Sequence, residues 1–87
     1  MSQPISDEKQ KNFFERARKG VLTWLSDRGG SASLAELHEY SERKFLIAHQ
    51  GFSRLMESFV DEGLVTYDQG TGTATLTDAG KEFIGTQ

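Results

Sequence analysis

The chain has 87 residues, the length of one small domain, and its 36% hydrophobic content is that of an ordinary globular domain. It contains no cysteine, which excludes disulfides, thiolate metal sites and cysteine nucleophiles. The net charge is −3 and is unevenly distributed: residues 1–44 carry eight Lys/Arg and seven Asp/Glu, whereas residues 45–87 carry two and six. The strong basic patch that is typical of nucleic-acid-binding domains is therefore absent, and any positive surface must be local.

The N-terminal part predicts a short flexible segment followed by a long amphipathic helix. Residues 1–5 are expected to be flexible, so that one domain spans residues 6–87. Ser6 has the side chain of an N-cap, and acidic residues follow it where they suit the positive end of a helix dipole. At 100° per residue, a wide apolar stripe runs from Phe13 to Leu25, and Gly29-Gly30 ends the helix.

One edge of this stripe carries Phe13 and Trp24, with Ala17 beside them. Two interpretations are open: these side chains cover the core of the domain itself, or they pack against a second copy of the chain. The N-terminus has no apolar run that could serve as a signal or membrane segment, so we expect a cytoplasmic protein without membrane contact.

Two more helices are predicted in the middle of the chain. Ser33 and Glu36 form a capping-box pair before a helix from about Leu34 to near Lys44. The segment "FLIAHQG" is a turn or a frayed helical end. A third helix starts near Gly51 and stops at Gly63, and its apolar face is formed by Phe52, Leu55, Met56, Phe59 and Val60.

The C-terminal part predicts a hairpin and a short closing helix. The runs "LVTYD" and "TATLT" are rich in β-formers and flank the turn "QGTG". A lone hairpin is unstable in water, so it is expected to pack on the helices through Leu64, Tyr67 and Leu76. Thr77 is placed to cap "DAGKEFIG", whose Phe83 and Ile84 would close the core.

Three helices, a hairpin and a closing helix match the plan of a winged helix-turn-helix. The segment "GFSRLMESFVDEGLV" resembles the recognition helix and first wing strand of MarR-type and PadR-type transcriptional regulators, and "LTDAGKEFI" resembles the segment after their wing. The predicted fold class is therefore α+β, mostly α: a winged helix in which a three-helix bundle carries a β-hairpin wing and a short C-terminal helix.

The resemblance implies a small stand-alone, prokaryotic regulator that places its third helix, about residues 51–62, in the major groove of double-stranded DNA. Because few cations are available, a homodimer through Phe13, Ala17 and Trp24 is expected. Carried over by position, the DNA-facing residues on or next to the third helix are Gln50, Ser53, Arg54, Glu57 and Ser58, with Arg43, Lys44 and His49 at the junction before it.

A protein-interaction module on the same scaffold is the alternative. The hairpin tip "YDQGTGT" has an aspartate and no cation, and Glu57, Asp61 and Glu62 crowd the third helix, so this surface would suit a basic protein partner. The run "GTGTATLTDAGK" is distantly similar to a small winged-helix accessory protein of dissimilatory sulfite reductase.

No catalytic, cofactor or metal site is expected. The two histidines, His38 and His49, lack metal-ligand spacing, and His38 lies beside the apolar stripe of its helix. "GTG" at residues 70–72 lies in a hairpin and lacks the rest of a dinucleotide-binding motif. No serine is tied to a histidine and an aspartate, so an enzyme is not predicted.

Overall fold

The structure, a computed structural model, describes residues 4–85. This part of the chain is a small α+β domain that is mostly helical, with four helices and a three-stranded antiparallel sheet. The elements in chain order are α1 (Pro4–Asp27), β1 (Ser31–Ser33), α2 (Leu34–Phe45), α3 (His49–Asp61), β2 (Val65–Asp68), β3 (Thr73–Leu76) and α4 (Asp78–Gly85).

Helix α1 begins earlier than the sequence predicts. It starts at Pro4, a residue that suits the first helical position, so Ser6 lies inside the helix and is not its N-cap. The predicted flexibility of residues 1–5 falls in part on residues 1–3, which lie outside the described residues. The C-terminal end agrees with the prediction, since Gly29 and Gly30 follow α1 with φ of 87° and 91°.

The predicted capping box of α2 is confirmed. The Glu36 amide donates to the Ser33 hydroxyl and the Ser33 amide donates to the Glu36 carboxylate, both at 3.1 Å. Leu46 then ends α2 in the left-handed conformation, at φ 57°. "FLIAHQG" is therefore a short turn, and α3 begins at His49 instead of Gly51.

The hairpin is confirmed, and a third strand joins it. The strand order is β1-β3-β2, with Ala32 opposite Ala74 and Val65 opposite Leu76. The sequence prediction missed β1, which has three residues and so shows no alternating pattern. Because β1 precedes α2 directly, its pairing ties the start of α2 to the sheet.

The core lies between α1, α2, α3 and the sheet. The fully or almost fully buried apolar side chains at its centre are Ala17, Val21, Leu22, Leu25, Leu37, Leu55, Phe59, Val65 and Ala74. Leu64 and Leu76 anchor the hairpin as predicted, whereas Tyr67 is 37% exposed and Val60 on α3 is 46% exposed. Val60 belongs to the predicted apolar face of α3 and Tyr67 to the predicted contact of the hairpin with the helices, but each keeps part of its side chain exposed.

The C-terminal helix closes the domain as predicted. The Thr77 hydroxyl accepts from the Gly80 amide at 3.0 Å and donates to the Gly63 carbonyl at 2.6 Å, which caps α4 and ties it to the end of α3. Phe83 and Ile84 are partly buried against the core.

Arg18 is a buried cation that the apolar stripe does not reveal. It is 6% exposed, and its guanidinium donates to Glu15 at 3.2 Å and to Glu62 at 2.5 Å. The same group lies 5.1 Å from the ring centre of Phe83. Arg18 therefore connects α1 with the end of α3 and with α4.

Candidate nucleic-acid interface

The outward face of α3 is free of cover by the rest of the described chain. Helix α3 packs inward through Phe52, Leu55, Met56 and Phe59, while Gln50, Ser53, Arg54 and Glu57 are exposed. Ser58 differs from the other predicted contact residues, because it is half-buried and its hydroxyl donates to the Leu55 carbonyl at 2.8 Å. Its polar group is therefore occupied within its own helix.

The N-terminus of α3 is open. Ala48 stands at the N-cap position and makes no side-chain capping bond, and the first turn has no acidic residue. The first amides of a helix have no partner inside the helix and carry a partial positive charge. This end of α3 is therefore suited to a phosphate oxygen.

Arg43 and Lys44 lie on different sides of α2. Lys44 follows Tyr40 by one turn, and Tyr40 stacks on Trp24 of α1 with ring centres 4.6 Å apart, so Lys44 is on the side of α2 that faces α1. Arg43 follows the exposed Glu39 by one turn and faces outward. Both are in the last turn, where cations also stabilise α2 through its dipole.

Arg54 is on the opposite side of α3 from α2. The side of α3 that faces α2 is marked by His49 and Phe52, whose rings lie 5.5 and 4.9 Å from the ring of His38 on α2. At 100° per residue, Arg54 points nearly the opposite way. By this helical geometry Arg43, Lys44 and Arg54 project from different faces of two helices, and their joint contact with one duplex stays a prediction.

The tip of the hairpin offers no cation. Asp68 is exposed and its carboxylate accepts from the Gly70 amide at 2.8 Å, which holds the turn. Residues 69–72, "QGTG", complete the turn without Lys or Arg. The tip therefore has no cation that could bind a phosphate of the DNA backbone.

A groove runs beside the outward face of α3, between α2, α3 and β2. Its volume is about 740 Å³. The residues that line it are Leu34, Ala35, His38, His49, Phe52, Ser53, Met56, Glu57, Val60, Asp61 and Tyr67. The groove was not predicted, because the sequence pattern assigned Val60 to the apolar face of α3 and Tyr67 to the contact between the hairpin and the helices. The sequence does contain one indication of the groove. The apolar face of α3 is wider than the part of the helix that packs against the core.

The two histidines lie together at one end of this groove. The rings of His38 and His49 are 5.5 Å apart at an angle of 63°, and the Nε2 atom of His38 is buried without a hydrogen-bond partner. Within the described part of the chain, no group of three or more His, Cys, Asp or Glu residues is placed to hold a metal ion.

The predicted dimer edge is largely occupied by contacts inside the domain. Ala17 is completely buried and has no surface to offer to a partner, which corrects its place in that edge. Trp24 is half-buried, stacked on Tyr40, with the Arg28 guanidinium 4.7 Å from its ring centre. Phe13 is 42% exposed and meets Phe45 edge-on at 6.5 Å. Only Phe13 leaves a substantial apolar surface here.

Comparisons with protein-family models, with curated proteins and with solved structures found no match to this chain. Among residues 4–85, no helix has both the length and the apolar character needed to cross a membrane.

Proposed function

We propose that the chain is a winged-helix, DNA-binding transcriptional regulator that inserts α3 into the major groove of double-stranded DNA. The observation that carries this proposal is the open N-terminus of α3 followed by an exposed polar face. The order of the elements supports it as well, because α2 and α3 are joined by a short turn and a hairpin follows α3 directly. A helix of ordinary diameter fits the major groove.

The exposed residues of α3 have side chains that suit this role. Arg54 can form two parallel hydrogen bonds to guanine or bind a phosphate, and Gln50 can pair with adenine. Ser53 and the first amides of α3 would hold the DNA backbone. Glu57 limits the approach of phosphates and would favour cytosine, whose amino group it can accept from.

The number of cations sets the expected strength. Even if Arg43 and Lys44, which lie on other faces, are counted with Arg54, one domain offers at most three phosphate contacts in this region. By counterion release, three contacts weaken binding by a few tens-fold between about 50 and about 200 mM salt. A monomer is therefore a weak binder, and a homodimer, which doubles the contacts, is part of the proposal.

A titration of labelled duplex DNA of mixed sequence, followed by fluorescence anisotropy at several salt concentrations, tests the proposal. Arg54→Ala should weaken binding and lower the slope of log K against log salt by about 0.9 per domain. Lys81→Ala is the matched control, since Lys81 is an exposed cation on α4. Absence of binding by folded protein at about 50 mM salt, or equal effects of the two variants, would overturn the proposal.

A protein-interaction module with little DNA affinity is the second candidate, and the carboxylates of α3 favour it. Glu57 and Asp61 are exposed, and neither forms an ion pair among the described residues. Both line the apolar groove beside α3. Uncompensated negative charge next to an apolar groove repels phosphate and suits a basic partner.

A further inference from the structure

The groove between α2, α3 and β2 has an apolar floor and apolar walls. Phe52 and Met56 of α3 form the buried floor, Leu34 of α2 is partly buried on one side, and Val60 and Tyr67 remain exposed on the other. Exposed large apolar side chains around a concave surface are typical of a contact surface for another molecule. The domain itself provides no described segment that covers them.

The charge along the groove has one sign. Its charged lining residues are Glu57 and Asp61, and no Lys or Arg lines it. Three carboxylates elsewhere among the described residues have a cation: Glu15 and Glu62 bind Arg18, and Glu36 binds Arg28 at 3.1 Å. Other exposed carboxylates, such as Glu39 and Glu82, form no ion pair there either, but they do not line an apolar groove. Within the described residues the carboxylates of the groove thus have no cation partner, and they are available to a cation from outside.

The shape of the groove selects an extended surface over a small molecule. It is open to solvent along one side and is bounded by two helices and a strand. Pockets that hold small ligands bury most of the ligand surface, which an open groove does not achieve. An amphipathic helix that lays its apolar side chains between two helices matches this geometry.

We infer that this groove binds an amphipathic helical segment of a partner protein, with large apolar side chains that enter the groove and Lys or Arg that meet Glu57 and Asp61. The inference rests on the second candidate function and is independent of DNA binding. Ser53 and Glu57 belong both to the groove and to the outward face of α3. A bound segment would therefore also cover residues proposed to face DNA.

The test uses the whole chain and two synthetic helical peptides of leucine and alanine with leucines on one face, one with lysines on the flanks and one with glutamates. Binding is followed by amide chemical-shift changes and by fluorescence anisotropy. We expect the lysine peptide to shift the amides of α2, α3 and β2 around the groove. The glutamate peptide, which has the same apolar face, should bind at least about tenfold more weakly at low salt.

Charge reversal in the protein locates the site. The double variant Glu57→Lys/Asp61→Lys should weaken the lysine peptide by about tenfold and strengthen the glutamate peptide. Asp27→Lys/Glu82→Lys is the matched control, because it makes the same charge change at exposed positions that do not line the groove. It should leave both affinities within about twofold, as screening weakens distant charges.

Other results would overturn the inference. These are no shift at any peptide concentration, equal binding of the two peptides, equal effects of the two double variants, or shifts confined to α1. Groove amides that shift with protein concentration alone would assign the groove to a second copy of the chain. Failure of this test leaves the DNA titration unaffected, because that experiment contains no peptide and reports on Arg54.

Discussion

Substitution of Arg18 separates the role of its buried stem from the role of its charge. The guanidinium binds two carboxylates whose side chains are about half exposed, at 47% and 50%. Pairs of this kind contribute roughly 0.2–1 kcal/mol each. Against that gain stands the cost of desolvating the guanidinium, whose Nε is buried without a partner. The net contribution of the charge is therefore small.

The methylene stem of Arg18 contributes through packing. It is buried between α1, the end of α3 and the ring of Phe83. Its removal exposes apolar surface worth about 1–2 kcal/mol. We expect Arg18→Ala to lower the free energy of unfolding by about 2 kcal/mol. Arg18→Met keeps most of the packing and should stay within about 1 kcal/mol of the wild type.

Thermal and urea unfolding followed by circular dichroism measure the difference. For a domain of this size, 1 kcal/mol corresponds to about 4–8 °C in Tm, so Arg18→Ala should lower Tm by about 8–16 °C. Glu62→Gln, which removes the negative charge beside the buried guanidinium, should destabilise more than Arg18→Met. If Arg18→Met is as unstable as Arg18→Ala, the ion pairs dominate and the reasoning from exposure is wrong.

Three further substitutions test the backbone of the fold. Gly80→Ala should lower the free energy of unfolding by about 3 kcal/mol or more, because a Cβ at this position would clash with the Leu64 carbonyl oxygen. A Tm close to that of the wild type would contradict the packing of α4. Ser33→Ala should cost about 1 kcal/mol through the lost cap of α2, with Ser33→Asp as the variant that retains stability. Leu46→Gly should stabilise the domain by about 0.5–1 kcal/mol, because Leu46 is 86% exposed and has a φ of 57°, which glycine adopts without strain. Leu46→Ala is the control, since alanine keeps the backbone strain. Equal stability of the two variants would contradict this prediction.

Local signals predicted most of the elements. The capping box at Ser33, the glycines after α1 and the "QGTG" turn each depend on residues that are adjacent in the chain. Such signals act through short-range hydrogen bonds and backbone conformations, so they survive in any tertiary context. The helix starts were less well predicted: α1 begins at Pro4 and α3 at His49, and the start of α3 has no side-chain cap for the sequence to reveal.

Features that depend on distant residues were missed. β1 exists because its three residues pair with β3, at least forty positions further along the chain. Arg18 lies beside the apolar stripe of α1, and its burial requires Glu62 from the end of α3. Val60 and Tyr67 have the residue types of a core, and only the placement of β2 against α3 leaves them exposed.

The candidate site also combines local features, which the sequence predicts, with contacts between distant residues, which it does not. The exposed face of α3 follows from helical periodicity and could be predicted, but the relation of that face to α2 could not. The packing of His38 against His49 and Phe52 turns Arg54 away from α2, and so separates it from Arg43.

The exposed surface of α3 is divided along its length into two chemically different halves. Gln50 and Arg54 lie next to the uncapped N-terminus and do not line the groove, whereas Glu57 and Asp61 line it, about two and about three turns into the helix. A duplex that approaches the N-terminal half meets one cation and free amides, but on moving toward the C-terminal half it meets two unpaired carboxylates. Phosphate contacts should therefore be confined to the first two turns of α3, where they add little affinity per domain.

A cationic segment in the groove is attracted by the same two carboxylates that repel the phosphates of DNA. The same carboxylates should therefore affect the two ligands in opposite directions. Glu57→Gln/Asp61→Gln should raise the affinity for duplex DNA and lower the affinity for the lysine peptide. If both affinities change in the same direction, these carboxylates act on neither ligand directly.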